Sequence, residues 1–204
     1  MVYSLNITLT AEQVDLLHKT NSKIAISKPV QNGNPDFAWL QFSPFQENQV
    51  VWEDKYWFYA SNEIDNGIII SKIYTQTKEN VIPDKLYELE NGTINGPKDG
   101  GTPGQFSLQN KYEGNPYMTI GLVQAAKLNG QDEEEPMSAN EVLYQSTISE
   151  MPVNTLYIWV QSNLKSKAAA NNNITSPKTK VIFTPSVNLI SVKYNSATGG
   201  FDIQ

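Results

Sequence analysis

The sequence has no cysteine, no arginine and a single histidine. The first absence excludes disulfides, thiolate nucleophiles, Cys-ligated zinc and iron–sulfur clusters. The second removes the side chain best suited to bidentate phosphate and carboxylate recognition. Together with a formal net charge of −6, it makes the chain a poor partner for nucleic acid. The third excludes a His-rich metal site within one chain. Charge is sparse too, since charged residues are only 18% of the 204, and Asn, Gln, Ser and Thr fill the difference. No apolar run approaches the ~18 residues of a spanning helix. The N-terminus shows no basic segment followed by an apolar stretch. The expectation is therefore a chain without a transmembrane segment, cytoplasmic or released without a visible signal peptide.

What is present is core material. Four Trp, ten Tyr and seven Phe accompany many Ile, Val and Leu, too much apolar surface for a disordered chain. A chain this long buries roughly 70% of its unfolded surface without staples. No linker or internal repeat divides it, so residues 1–204 are read as one domain.

The patterning is that of strands. Tyr3, Leu5, Ile7 and Leu9 alternate with Ser4, Asn6 and Thr8, which predicts a half-buried strand. Thr10 and Gln13 then form a capping box, with Leu9 and Val14 placed as a hydrophobic staple. The spacing predicts a helix over 11–19 with Val14, Leu17 and Leu16 as its stripe. Further strands are predicted over 23–27, 37–42, 50–60, 68–75, 85–89, 106–108 (as an edge), 117–127, 156–161 (central, apolar on both faces), 181–184 and 189–194. Asn66-Gly67, Asn91-Gly92 and Asn129-Gly130 read as turns. Ser138 and Glu141 suggest a second capping box, where a helix and a strand are close rivals. Three stretches read as loops: 92–104, rich in Gly; 129–140, with the acidic run Asp132 to Glu135; and 163–177, low in complexity. The fold expected is all-β: a β-sandwich of about nine to ten short, mainly antiparallel strands, with a short helix after the first strand.

The chemistry-bearing patterns are weak. His18 lacks a nucleophile elbow and reads as a helix-edge residue. Lys98 in the Gly-rich stretch is followed by Asp99, so the P-loop pattern fails. The acidic run lacks the EF-hand pattern and reads as a solvated loop. Three N-x-[ST] sequons, at Asn6, Asn91 and Asn173, are what 21 Asn and 30 Ser plus Thr give by chance. No cofactor and no catalytic group is assigned, although carboxylate-only chemistry stays open.

One segment stands out, the aromatic stretch from Val50 to Ala60. As a single strand it sets Trp52, Asp54, Tyr56 and Phe58 on one face, and Glu53, Lys55, Trp57 and Tyr59 on the other. The second face carries two charges and reads as wet. Exposed Trp57 and Tyr59, flanked by Lys55 and Glu53, would offer flat apolar faces with polar handles. Ordinary core, or a bend at Glu53-Asp54, is the rival reading. The functional expectation is a non-enzymatic, lectin-like module binding a neutral glycan or cell-surface ligand. Two alternatives accompany it. Low charge and a long first strand suit a self-assembling homo-oligomer or inclusion-type protein. An amphipathic helix over 11–19 on an aromatic-rich sandwich resembles the plan of the actinoporin-like cytolysins, which implies a membrane-active toxin. The motifs of that family are missing, and an acidic chain without Arg fits an anionic membrane poorly.

Overall fold

The computed structural model describes residues 1–33, 37–62, 73–162 and 176–204. Among them, in chain order, run β1 (Val2–Thr8), α1 (Ala11–Lys19), β2 (Ser22–Ser27), β3 (Leu40–Phe42), β4 (Glu47–Glu53) and β5 (Trp57–Ser61). Then come β6 (Thr75–Gln76), β7 (Leu86–Glu90), β8 (Thr93–Lys98), β9 (Phe106–Asn110), β10 (Tyr117–Leu128) and β11 (Gln131–Pro136). The chain continues with β12 (Asn140–Leu143), β13 (Thr147–Glu150), β14 (Thr155–Ser162), β15 (Thr179–Ile182), β16 (Leu189–Asn195) and β17 (Gly200–Ile203).

These strands make an all-β sandwich of three sheets. The largest runs β17-β16-β1-β4-β10-β5-β6, with β11 and β12 added on β10. The other two run β13-β9-β7-β8 and β15-β14-β2-β3. One core cluster draws on inward residues of all three, among them Leu5, Ile7, Ile24, Ile26, Leu89, Leu108, Ile120 and Ile158, every one at 0% exposure. That single shared core is what makes the sheets one body.

The opening segment forms as its pattern dictates. Alternation in β1 buries Tyr3, Leu5 and Ile7. The Thr10 hydroxyl accepts from the Gln13 amide at 3.3 Å, and the Gln13 side chain accepts from the Thr10 amide at 2.9 Å. Val14 and Leu17 are buried, whereas Leu16 is 55% exposed. No helix among the described residues is long and apolar enough to cross a membrane.

Several expectations are corrected. The strands are seventeen among the described residues, not nine or ten. The Gly-rich stretch is not all loop, because Asn91-Gly92, both at positive φ, closes a hairpin and sends β8 back along β7. The Glu88 carboxylate, buried on β7, holds that return through its ion pair with Lys98, and ties in the end of β9 through Lys111 at 2.6 Å. Asn129-Gly130 does the same for β10, so the acidic run is strand β11. Two-residue turns of this kind need φ > 0 at both central positions, which Asn-Gly supplies. Residues 140–143 are strand β12 rather than helix. β9 is no edge, since β13 and β7 flank it. Asn66-Gly67, all but the end of the strand expected over 68–75, and most of the 163–177 loop lie outside the described residues.

Candidate functional site

The site grows from a break in the aromatic stretch. Residues 50–60 are two strands, β4 and β5, lying end to end along one edge of β10. A tight turn at Asp54 separates them, with the Lys55 amide donating to the Glu53 carbonyl at 2.8 Å. Trp52 faces Ala126 and Trp57 faces Val123. Five steps on one side therefore match three on the other, an excess of two residues. An even excess preserves the alternation of faces. Trp52, Tyr56 and Phe58 accordingly all enter the main core, and Glu53, Lys55, Trp57 and Tyr59 all belong to the outer face.

Register lays out that outer face in rows. Val2 pairs with Glu53 across β1 and β4, and Ala125 with Glu134 across β10 and β11; one step past the Trp52–Ala126 pair, these four make one row. Ser4, Val51, Lys127 and Asp132 form the next. Trp57 stands beyond the first row, opposite Val123. The small side chain of Ala125 leaves a trough, and the excess residues at the turn raise Lys55 beside it. The result is a groove of about 490 Å³ with an apolar floor of Val2, Val51 and Ala125, Trp57 as a wall, and a charged rim. Lys55 pairs with Glu53 at 2.6 Å and Lys127 with Asp132 at 3.2 Å. That Lys55 ammonium, by hydrogen bond and by charge, holds the Glu53 carboxyl below the ordinary glutamate value. The Gln76 side-chain amide donates to Glu134.

Three of the four expected site residues, Glu53, Lys55 and Trp57, thus meet at one groove. The fourth is corrected. Tyr59 is at 0% exposure and cannot be a ligand platform. The connection from β11 to β12 crosses the sheet above the Tyr59–Gly121 pair, and the Tyr59 hydroxyl donates to the Ser138 carbonyl at 2.8 Å. Gly121 permits the crossing, since a Cβ there would lie 2.1 Å from that carbonyl oxygen. Phe37 and Val123 complete the cover.

Two ionisable groups are sealed inside. Lys28, the residue after β2, is 1% exposed. Its ammonium donates to the Tyr56 hydroxyl at 3.0 Å and to Gln124 Oε1 at 2.8 Å, lies 3.9 Å from the Asp54 carboxylate, and sits 5.0 Å from the Tyr56 ring centre. Burial pulls its pKa down to about 7 against the opposing pull of Asp54. Glu150, the last residue of β13, is 3% exposed and accepts from the Ser138 hydroxyl at 2.9 Å and the Asn140 amide at 2.7 Å. Burial pushes its carboxyl up to about 7, more than those two hydrogen bonds lower it. A titratable group near neutrality is suited to proton transfer. Both groups, however, are occupied by internal partners and closed to a substrate. His18 is on the exposed helix face, its Nε2 2.9 Å from the Pro44 carbonyl. Among the described residues, no group of three or more His, Asp or Glu is arranged to hold a metal ion.

Sequence reasoning missed Lys28, Gln124 and Glu150, which no spacing marks. It also missed that the acidic run borders the groove, although the Asn129-Gly130 turn carried that signal: a hairpin there must fold residues 131–136 back onto β10. No protein-family model, no curated protein and no solved structure matches this chain.

Proposed function

We propose that this chain is a non-enzymatic, lectin-like binding protein that takes a glycan in the outer-face groove. The observation that carries the reading is the groove itself: about 490 Å³, walled by Trp57 and floored by small aliphatic side chains, with hydrogen-bonding groups confined to its rim. Such a volume lies within the ~300–1,000 Å³ of small-ligand sites. An indole wall stacks on the C–H face of a sugar ring, and the rim groups bond its hydroxyls. Trp39, Trp52 and Trp159 are 2%, 3% and 0% exposed, so Trp57 is the one indole available to a ligand. Against an enzyme stands the position of Lys28 and Glu150, each shut away from any substrate. Against sheet-edge assembly at β11 stand its four consecutive carboxylates, which repel a second copy.

The same Trp57 supplies the experiment. Glycan-array screening followed by titration of tryptophan fluorescence should find an oligosaccharide that shields Trp57 from a soluble quencher. Trp57→Ala should weaken that ligand by about tenfold or more, and Lys55→Ala by a few-fold. Binding that leaves the fluorescence unchanged, or that survives both substitutions, sinks the reading.

A further inference from the structure

The groove is not electrically neutral. On the outer face Glu53, Asp132 and Glu134 line it against Lys55 and Lys127, a net of −1 in a chain of −6; Glu133 stands opposite Ala126, on the other face of the sheet. Both lysines are committed, Lys55 to Glu53 and Lys127 to Asp132. Among the described residues, no lysine forms an ion pair with Glu134, which accepts from the uncharged Gln76 side-chain amide. The surplus carboxylate, Glu134, is also on one side. Glu134 projects from β11, across β10 from Trp57 on β5 and one row along. Two strand spacings and one row separate them, on the order of 10 Å, across Ala125. A ligand lying in the trough therefore meets an aromatic face at one end and, at the other, a carboxylate whose bonded neighbour among the described residues is an uncharged amide.

We infer that the groove selects a cationic glycan, an oligomer of amino sugars, whose ring stacks on Trp57 while a protonated amine on the next unit faces Glu134. The inference rests on the glycan reading above and narrows it from the neutral ligands that composition alone suggests. The chemistry is complementary at both ends. An indole attracts a nearby ammonium as well as a C–H face. A carboxylate at a partly desolvated rim favours a cation and rejects an anion. The lysines add specificity, because an acidic sugar could be accepted only by breaking the pairs they already make.

The test compares glucosamine oligomers with N-acetylglucosamine oligomers of equal length. Binding is read by quenching of Trp57 and by calorimetry, in mildly acidic buffer at low and at high salt. Glucosamine oligomers should bind about tenfold tighter at low salt. Salt should shrink that preference, and Glu134→Gln should abolish it without touching the neutral series. Trp57→Ala should weaken both series. Equal affinity, or a preference for the acetylated series, overturns the cationic inference and leaves the glycan reading standing. Failure of both series to bind overturns the inference, and only a positive glycan array then keeps the broader reading. Oligolysine of matched charge is the third arm: binding it as tightly as the amino sugars overturns the sugar half of the proposal. Glu134 is exposed, so the variant keeps its fold, and unchanged unfolding confirms that any loss is of binding.

Discussion

Trp57 and Tyr59 stand two residues apart on the same face of the same strand, yet their surroundings are opposite. Trp57 is half-buried at the wall of an open groove, and Tyr59 is sealed. Nothing in the strand makes that difference. It comes from the opposing strand and from what crosses above it. Opposite Tyr59 is Gly121, whose bare Cα lets the Ser138 segment press against the sheet. Two positions further along β10 from Val123, the partner of Trp57, is Ala125, and there the groove is open. On this sheet, one missing methyl separates covered face from binding face.

The sharpest way to break that comparison is to put side-chain atoms at the covered end. Gly121→Val would drive a Cβ into the Ser138 carbonyl, where only 2.1 Å is available. That carbonyl holds Tyr59, and the Ser138 hydroxyl bridges the Leu122 amide and Glu150, so relief by a small shift is blocked. A loss of about 3 kcal/mol or more is expected in urea denaturation. A loss under about 1 kcal/mol would mean that the crossing is not anchored as described.

The next effect is one of pH and contrasts the polar knot under the crossing with the one under the groove. Glu150, facing Tyr59, Ser138 and Asn140, keeps its proton to about 7 when folded, against an ordinary value of 4.5. The folded state binds more protons within that window. Its contribution is therefore full below about pH 4.5 and lost as pH rises to about 7. Lys28, facing Asp54, Tyr56 and Gln124, sheds its proton at about 7 when folded, against an ordinary 10.5. Here the unfolded state binds more protons, so stability climbs as pH rises from about 7 to 10.5. The two groups together set a stability minimum near neutrality, the acid limb worth up to about 3 kcal/mol and the alkaline limb up to about 5 kcal/mol. Thermal unfolding across pH should trace it. Glu150→Gln should flatten the acid limb alone and Lys28→Met the alkaline limb alone. A monotonic profile in the parent chain rejects the account.

How much of this was legible in the sequence follows from where each cause resides. β1 and α1 carry their causes locally, in strict alternation and in the Thr10/Gln13 box, and both form as read. The faces of β4 and β5 were legible as well, because the two-residue excess at the turn keeps the period. β8 and β11 were not, since β11 has no β-branched or aromatic residue and β8 has only Thr93 and Ile94 beside Asn, Gly and Pro. Each exists because an Asn-Gly turn folds it onto a neighbour that supplies the register. Tyr59 was misread for a related reason: its cover arrives from residue 138, far along the chain. Lys28 is one lysine among fifteen, and only the assembled core distinguishes it.

Tyr59→Phe removes a single contact from the covered end. The Ser138 carbonyl loses its 2.8 Å donor while the ring keeps its packing. About 1 kcal/mol should be lost in denaturation, with ligand affinity in the groove unchanged. A drop in affinity would show that the covered end shapes the open one.

The smallest change in stability is expected at the open end, from Ala125→Val. The residue belongs to a central strand, and Val suits a strand better than Ala does. Its added methyls project into the trough rather than against backbone, because the space above Ala125 is groove. Unfolding free energy should move by less than about 0.5 kcal/mol. Ligand affinity should nonetheless fall by about tenfold, since the floor rises between Trp57 and Glu134. The same kind of substitution on one strand, four residues apart, would then cost stability at Gly121 and only binding at Ala125. If Ala125→Val destabilised as Gly121→Val does, the groove would be packed rather than open. If it left affinity intact, the ligand would lie elsewhere on the molecule.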